Sequence, residues 1–141
     1  MRISKNFVLN ELVHRDTYTN FGSNAAWFLD PRAVEVLQFL RDRFGSTTVN
    51  NWANGGNLSF RGFRPPTTSV GGKLSQHRFG RAFDCNFTGA TPDEVREDII
   101  KNQSMYLDKG LTTIEDGAYS PTWLHFDIRW TGQQKIKIVK P

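Results

Sequence analysis

Ser75-Gln76-His77-Arg78-Phe79-Gly80-Arg81-Ala82-Phe83-Asp84 is the stretch on which the reading of this chain turns. Gly80 breaks the segment, which puts His77 in a loop and Asp84 inside a following strand, Arg81 to Phe87. A turn between them can aim both side chains at one point. Imidazole and carboxylate are good zinc donors, at ~2.0–2.2 Å from the ion. Two ligands do not make a site, so a third must come from elsewhere. Of the three histidines, His125 in Trp123-Leu124-His125-Phe126-Asp127 has the other dense setting, on a strand flanked by large apolar residues. A polar ring there needs a partner. Spacing alone leaves two readings open: a metal supplies that partner, or the histidine is held by an ordinary structural hydrogen bond.

Working outward, short β signals dominate the second half. Leu58 to Phe63, Leu111 to Ile114, Trp123 to Ile128 and Lys135 to Val139 join Arg81 to Phe87 as expected strands. In the last of these, Ile136 and Ile138 alternate with Lys135 and Lys137. Ahead of them a helix is expected from Asp30 to Phe44. Asp30 is its N-cap, Pro31 its first residue, Val34, Leu37, Leu40 and Phe44 its apolar stripe, and Gly45 its stop. Thr91-Pro92-Asp93-Glu94 has the capping-box pattern and opens a second helix through Val95, Ile99 and Tyr106 towards Gly110. Phe7 to Leu12 reads as a short helix, and Arg64 to Leu74, rich in Pro, Gly, Thr and Ser, as a long loop. This order predicts an α+β fold, a small and mostly antiparallel sheet with helices packed on one side.

The 141 residues suit a single domain, 1–141, with an ordinary core. One cysteine excludes an internal disulfide framework. The net charge of +4 is mild. It suits an anionic partner such as a wall polymer, but there is no basic cluster or motif for nucleic acid, and none is expected to bind. No segment approaches the ~20 apolar residues of a membrane span, and Met1 to Asn10 lacks the apolar run of a signal peptide. The chain is therefore expected to be made in the cytoplasm, without membrane insertion, and as a monomer.

The pattern Ser75-x-His77-x-x-Gly80-x-Ala82-x-Asp84 followed by Trp123-x-His125 resembles the zinc peptidases that include D-alanyl-D-alanine carboxypeptidases, D-alanyl-D-alanine dipeptidases and L-alanyl-D-glutamate phage endolysins. The hedgehog fold shares their metal site. The similarity begins near Asn6-Phe7-x-Leu9-x-Glu11-Leu12, as in small single-domain phage-type members. It continues through Gly62-Phe63-Arg64-Pro65 and Val70-Gly71-Gly72 and ends at His125-Phe126-Asp127-Ile128-Arg129. The resemblance implies a hedgehog-like fold in which His77, Asp84 and His125 hold Zn2+ and leave a position open for water. It implies an enzyme that hydrolyses an amide of the peptidoglycan stem peptide or cross-link. Arg64, in the place of the family's Gly-Tyr-Arg arginine, is then expected to bind substrate and steady the oxyanion. Ser75 is expected to order the His77 loop or touch substrate.

Such chemistry also needs a general base. Many relatives place Glu or Asp at the third residue before the last zinc histidine, where this chain has Thr122. Leu111 to Asp116 and Thr122 to Ile128 read as the arms of a hairpin around Gly117 to Pro121. With Glu115 paired to Trp123, Glu115 falls on the His125 face, one diagonal step away, and becomes the expected base. A slip of one residue would turn it away. Asp127 and Asp116 are the rival candidates for the base: Asp127 shares that face but reads rather as orienting His125, pairing with Arg129 or contacting substrate, and Asp116 as a solvated turn residue. Cys85 is expected on the opposite face, in the core. Arg61 and His14 read as solvated residues, and Trp27, Trp52 and Trp130 as core aromatics or sugar-stacking surfaces. A phage lysin, released through a holin or carried on the virion, fits the absence of a leader. The alternative expectation is a virion protein that keeps the zinc fold without catalysis.

Overall fold

Asp30 and Pro31 start the longest helix as their chemistry requires. The Asp30 carboxylate accepts from the Arg32 amide at 3.0 Å, and α3 then runs Pro31–Phe44 until Gly45, at φ 92°, ends it. The computed structural model describes residues 1–141. Before α3 come α1 (Leu9–Leu12), α2 (Arg15–Phe21) and a 3-10 segment, Gly22–Phe28. After it come the strands β1 (Thr47–Thr48) and β2 (Ala82–Phe87), the helices α4 (Pro92–Lys101) and α5 (Gln103–Lys109), and the strands β3 (Thr113–Glu115), β4 (Leu124–Asp127) and β5 (Lys137–Val139). The class is α+β. The five strands lie in the order β1-β2-β4-β3-β5, antiparallel except for the parallel β3–β5 pair.

The sheet has two chemically different faces because side chains alternate along each strand. Phe83 faces Phe126, and Cys85 faces Leu124, across β2 and β4. These residues and Ile114 are buried with Val34, Leu37 and Leu40 of α3, Val95 and Ile99 of α4 and Tyr106 of α5 in one core. Cys85 is thus core packing, as expected. Asp84 opposite His125, and Ala82 opposite Asp127, lie on the other face. Hydrophobic burial against α3–α5 therefore orients the polar face away from the helices.

Five expectations need correction. The second helix is two helices: at Asn102 (φ −119°, ψ 40°) the side-chain amide donates to the Asp98 carbonyl and carboxylate, each at 3.1 Å, and breaks α4 from α5. Leu58 to Phe63 is not a strand. Its amides bond to side chains and to the end of α1 instead: Leu58 to Asn51 Oδ1 at 2.9 Å, Arg61 to Asn50 Oδ1 at 3.0 Å, Phe63 to Leu12 O at 2.8 Å. The expected last strand is shorter than Lys135 to Val139: β5 begins at Lys137, and of the two isoleucines Ile136, before it, is buried while Ile138 is 50 % exposed at the sheet edge. The β3–β4 register pairs Thr113 with Asp127 and Ile114 with Phe126, two residues away from the expected one. The sequence reading also missed α2 and the two-residue β1. His14 is not a solvated residue: it is buried and caps α2, its Nδ1 accepting from the Asp16 amide at 3.1 Å. No helix is long and apolar enough to cross a membrane.

Candidate metal centre

Three segments carry the candidate ligands to one point. Asp84 sits mid-strand on β2, with its amide donating to Arg61 O at 2.8 Å. His125 sits opposite it on β4. His77 comes from a 3-10 turn, Gln76–Phe79, closed by Gly80 at φ 67°. Gly80 is needed on two counts, conformation and space, because a Cβ there would stand 1.9 Å from Phe28 O. Gly62 is as confined, since its Cβ would meet Leu12 O at 2.0 Å. That close approach lets the Gly62 carbonyl bond His77 Nδ1 at 2.9 Å, while Arg64 N donates to His77 O at 3.1 Å.

The remaining donor atoms converge. His77 Nε2 is 3.3 Å from Asp84 Oδ1, His125 Nδ1 is 2.8 Å from the same oxygen, and the three ligand atoms lie within 4.8 Å of one another. All three residues are buried. A tetrahedral ion at ~2.0–2.1 Å sets its ligand atoms roughly 3.3 Å apart, so the donor set fits a zinc-sized cation. Each imidazole also has its far nitrogen engaged, the arrangement that orients metal-binding histidines. His77 Nδ1 uses Gly62 O; His125 Nε2 uses Asp127 Oδ2 at 3.1 Å. Asp127 is wholly buried and is itself held by Arg129, whose Nε donates at 2.8 Å and Nη2 at 2.5 Å. Both Asp127 oxygens are thereby occupied, so it orients His125 and offers substrate nothing.

The three groups shift one another's protonation strongly. Burial opposes charge on His125, but the hydrogen bonds its ring donates to the Asp127 and Asp84 carboxylates push its pKa up to about 9. Burial alone would raise Asp84, yet His77 and His125 overcome it and hold the carboxyl well below its ordinary range. His77 is pushed down by burial, which keeps its ring neutral and fit to coordinate.

The triad forms part of the wall of a cleft of about 540 Å³, which also reaches Arg64, Ser75 and Glu115. Arg64 Nη2 donates to Asp84 Oδ2 at 3.1 Å and its Nε to Phe60 O at 2.5 Å, so the guanidinium stands beside the ligands. Ser75 lines the cleft; its backbone shapes the turn, accepting from Arg78 N at 3.0 Å, and its side chain caps nothing. Continuing the β3–β4 register sets Glu115 directly opposite His125 rather than diagonal to it. A shift of two residues preserves the face, so Glu115 still lies on the His125 side of the sheet. Burial raises the Glu115 pKa, against a lowering pull from His125. Asp116 caps its own turn through Ala118 N at 2.9 Å. Thr122 is exposed, its carbonyl taken by Asn86. Trp52 donates to Val13 O, and Trp27 and Trp130 are exposed, which leaves none of the three as core.

The sequence reading missed three features of the cleft. Tyr119 and Lys140 line it, and Trp123 forms wall as well as motif. An aromatic in an otherwise polar hairpin turn was the available signal for Tyr119; Lys140 had none. No protein-family model, curated protein or solved structure matches the chain.

Proposed function

We propose that this chain is a zinc-dependent peptidoglycan peptidase of the hedgehog-like D-alanyl-D-alanine peptidase type, a phage endolysin or virion-associated lysin acting on the wall stem peptide. The observation that carries the reading is convergence: His77, Asp84 and His125 share one cleft with an arginine and a raised-pKa glutamate. The motif resemblance supports the same assignment.

Zinc, when bound, supplies Lewis acidity towards the scissile carbonyl and acidifies water. The chain's own groups do the rest. Arg64 is held at Nε and Nη2, so its guanidinium is preorganised beside the reacting centre and steadies negative charge as it develops on the carbonyl oxygen. Glu115 takes the proton of the attacking water and returns it to the leaving amine; burial raises its pKa from the ordinary glutamate value. Asp127 and Arg129 keep the His125 ring in place, and Gly62 does so for His77. Delivery to the wall would follow holin release or come from the virion, with the protein acting as a monomer.

Purified protein incubated with peptidoglycan and zinc should release new amine termini, and mass spectrometry of the muropeptides should identify the bond. Zinc bound in stoichiometric amount without any new amine would favour a structural virion protein instead.

A further inference from the structure

Beyond Arg64, a second depression of about 230 Å³ opens on the far side of the cleft. The two share Arg64, Asp84 and Trp123 as common wall, so the depressions meet beside the candidate metal ligands. The exposed-to-half-buried segment Asn57–Phe60 forms its rim, and Arg61 lies within it.

Arg61 is held at several points. Its amide donates to Asn50 Oδ1 at 3.0 Å, and its carbonyl accepts from the Asp84 amide at 2.8 Å. Its Nη1 donates to Asn86 Oδ1 at 2.5 Å, and its guanidinium carbon stands 5.7 Å from the Trp123 ring centroid. Asn86 is in turn anchored to Thr122 O at 2.6 Å. The other cations of the cleft differ in one respect. Arg64 has Asp84, Arg129 has Asp127 and Lys140 has Asp116, whereas no carboxylate lies within 4.0 Å of Arg61. Its Nε and Nη2 make no hydrogen bond. A guanidinium placed over an indole face, fixed by a neutral amide and left with an unused donor edge is preorganised for a carboxylate.

We infer that substrate chain runs past the metal ligands into this second pocket, where Arg61, braced by Asn86 and Trp123, reads a carboxylate of the substrate. The inference rests on the peptidase reading for its substrate class, an acidic wall peptide. That carboxylate is either the free glutamyl carboxylate or the peptide's C-terminus, and the chemistry at Arg61 is the same for both.

The test uses three synthetic peptides: L-alanyl-γ-D-glutamyl-L-lysyl-D-alanine, its glutamyl amide and its C-terminal amide. Zinc-loaded wild-type protein is titrated with each, reading Kd from tryptophan fluorescence, or kcat/KM where a peptide is turned over. The expected result is a preference of roughly ten-fold or more for the free peptide over one amide, which names the carboxylate. Arg61→Gln should abolish that preference, and Arg61→Lys, which keeps the charge, should retain part of it. Equal affinity of the wild type for all three peptides, or an undiminished preference in Arg61→Gln, overturns the inference. Absence of hydrolysis with the preference intact would instead remove the peptidase reading alone.

Discussion

Asp127 shows how a single buried carboxylate can matter without touching an ion. Its oxygens accept from His125 Nε2 and from Arg129, so it sets which His125 nitrogen faces Asp84. Asp127→Asn keeps the shape and removes the charge. Zinc affinity should fall roughly 10–100-fold, measured by competition with a chromophoric chelator; an unchanged affinity would deny Asp127 its orienting role. Glu115 makes a second, pH-dependent prediction. Burial raises its pKa from the ordinary glutamate value, so the base is lost as pH falls through that raised pKa. The acid limb of the kcat/KM profile should therefore be missing from the residual activity of Glu115→Gln, and a limb that persists there would deny Glu115 the role of base. The same raised pKa means that ionised Glu115 opposes folding at neutral pH, so Glu115→Gln should be slightly more resistant to urea there. At this scale residue type and spacing left His77, Asp84 and His125 with two readings, and only the resemblance carried by Ser75-x-His77-x-x-Gly80-x-Ala82-x-Asp84 and Trp123-x-His125 singled them out as a ligand set. Arg61 was not legible, because the lack of a partner carboxylate is a fact about long-range neighbours.

The β3–β4 hairpin sets where the candidate base stands, and α4 secures it. Arg96 is buried on α4 and reaches across to the hairpin turn, bonding the Ser120 carbonyl, Ser120 Oγ at 3.0 Å and the Trp123 carbonyl at 2.6 Å. Arg96→Met would leave those carbonyls without donors in a buried place. The cost should be about 2–3 kcal/mol in urea unfolding, with faster amide exchange confined to residues 116–123. A loss below ~0.5 kcal/mol would mean that the turn holds itself. Helix boundaries were readable wherever capping chemistry is local: Asp30-Pro31 and Thr91 to Glu94 start helices as written. The break at Asn102 and the fate of Leu58 to Phe63 were not readable. In each, Asn side chains compete for backbone groups, at Asn102 locally and at Asn50 and Asn51 from across a loop. The hairpin's parity survived a wrong register because a slip of two conserves the face.

At the scale of the whole molecule, the sheet separates what folds the chain from what the metal would contribute. One face is buried with α3–α5 in a core of 18 residues, none of them a candidate ligand. The other bears Asp84, His125 and Asp127, with His77 supplied by a turn. Small zinc modules that lack such a core unfold without their ion. Here the hydrophobic face should hold the fold unaided, and zinc should add only its binding free energy. Linkage puts that at about 4 kcal/mol when free zinc is 1,000 times its Kd. For a chain of this length the corresponding change in Tm is on the order of 10 °C or more. Chelation should therefore lower Tm by that amount in calorimetry while the far-ultraviolet circular dichroism at 25 °C stays as it was. Loss of the helical signal on chelation would mean that the ligand face, not the helix face, carries the fold. An unchanged Tm would mean that the three donors hold no zinc in solution. The two outcomes fail different halves of the claim, because the two faces of one sheet carry different duties.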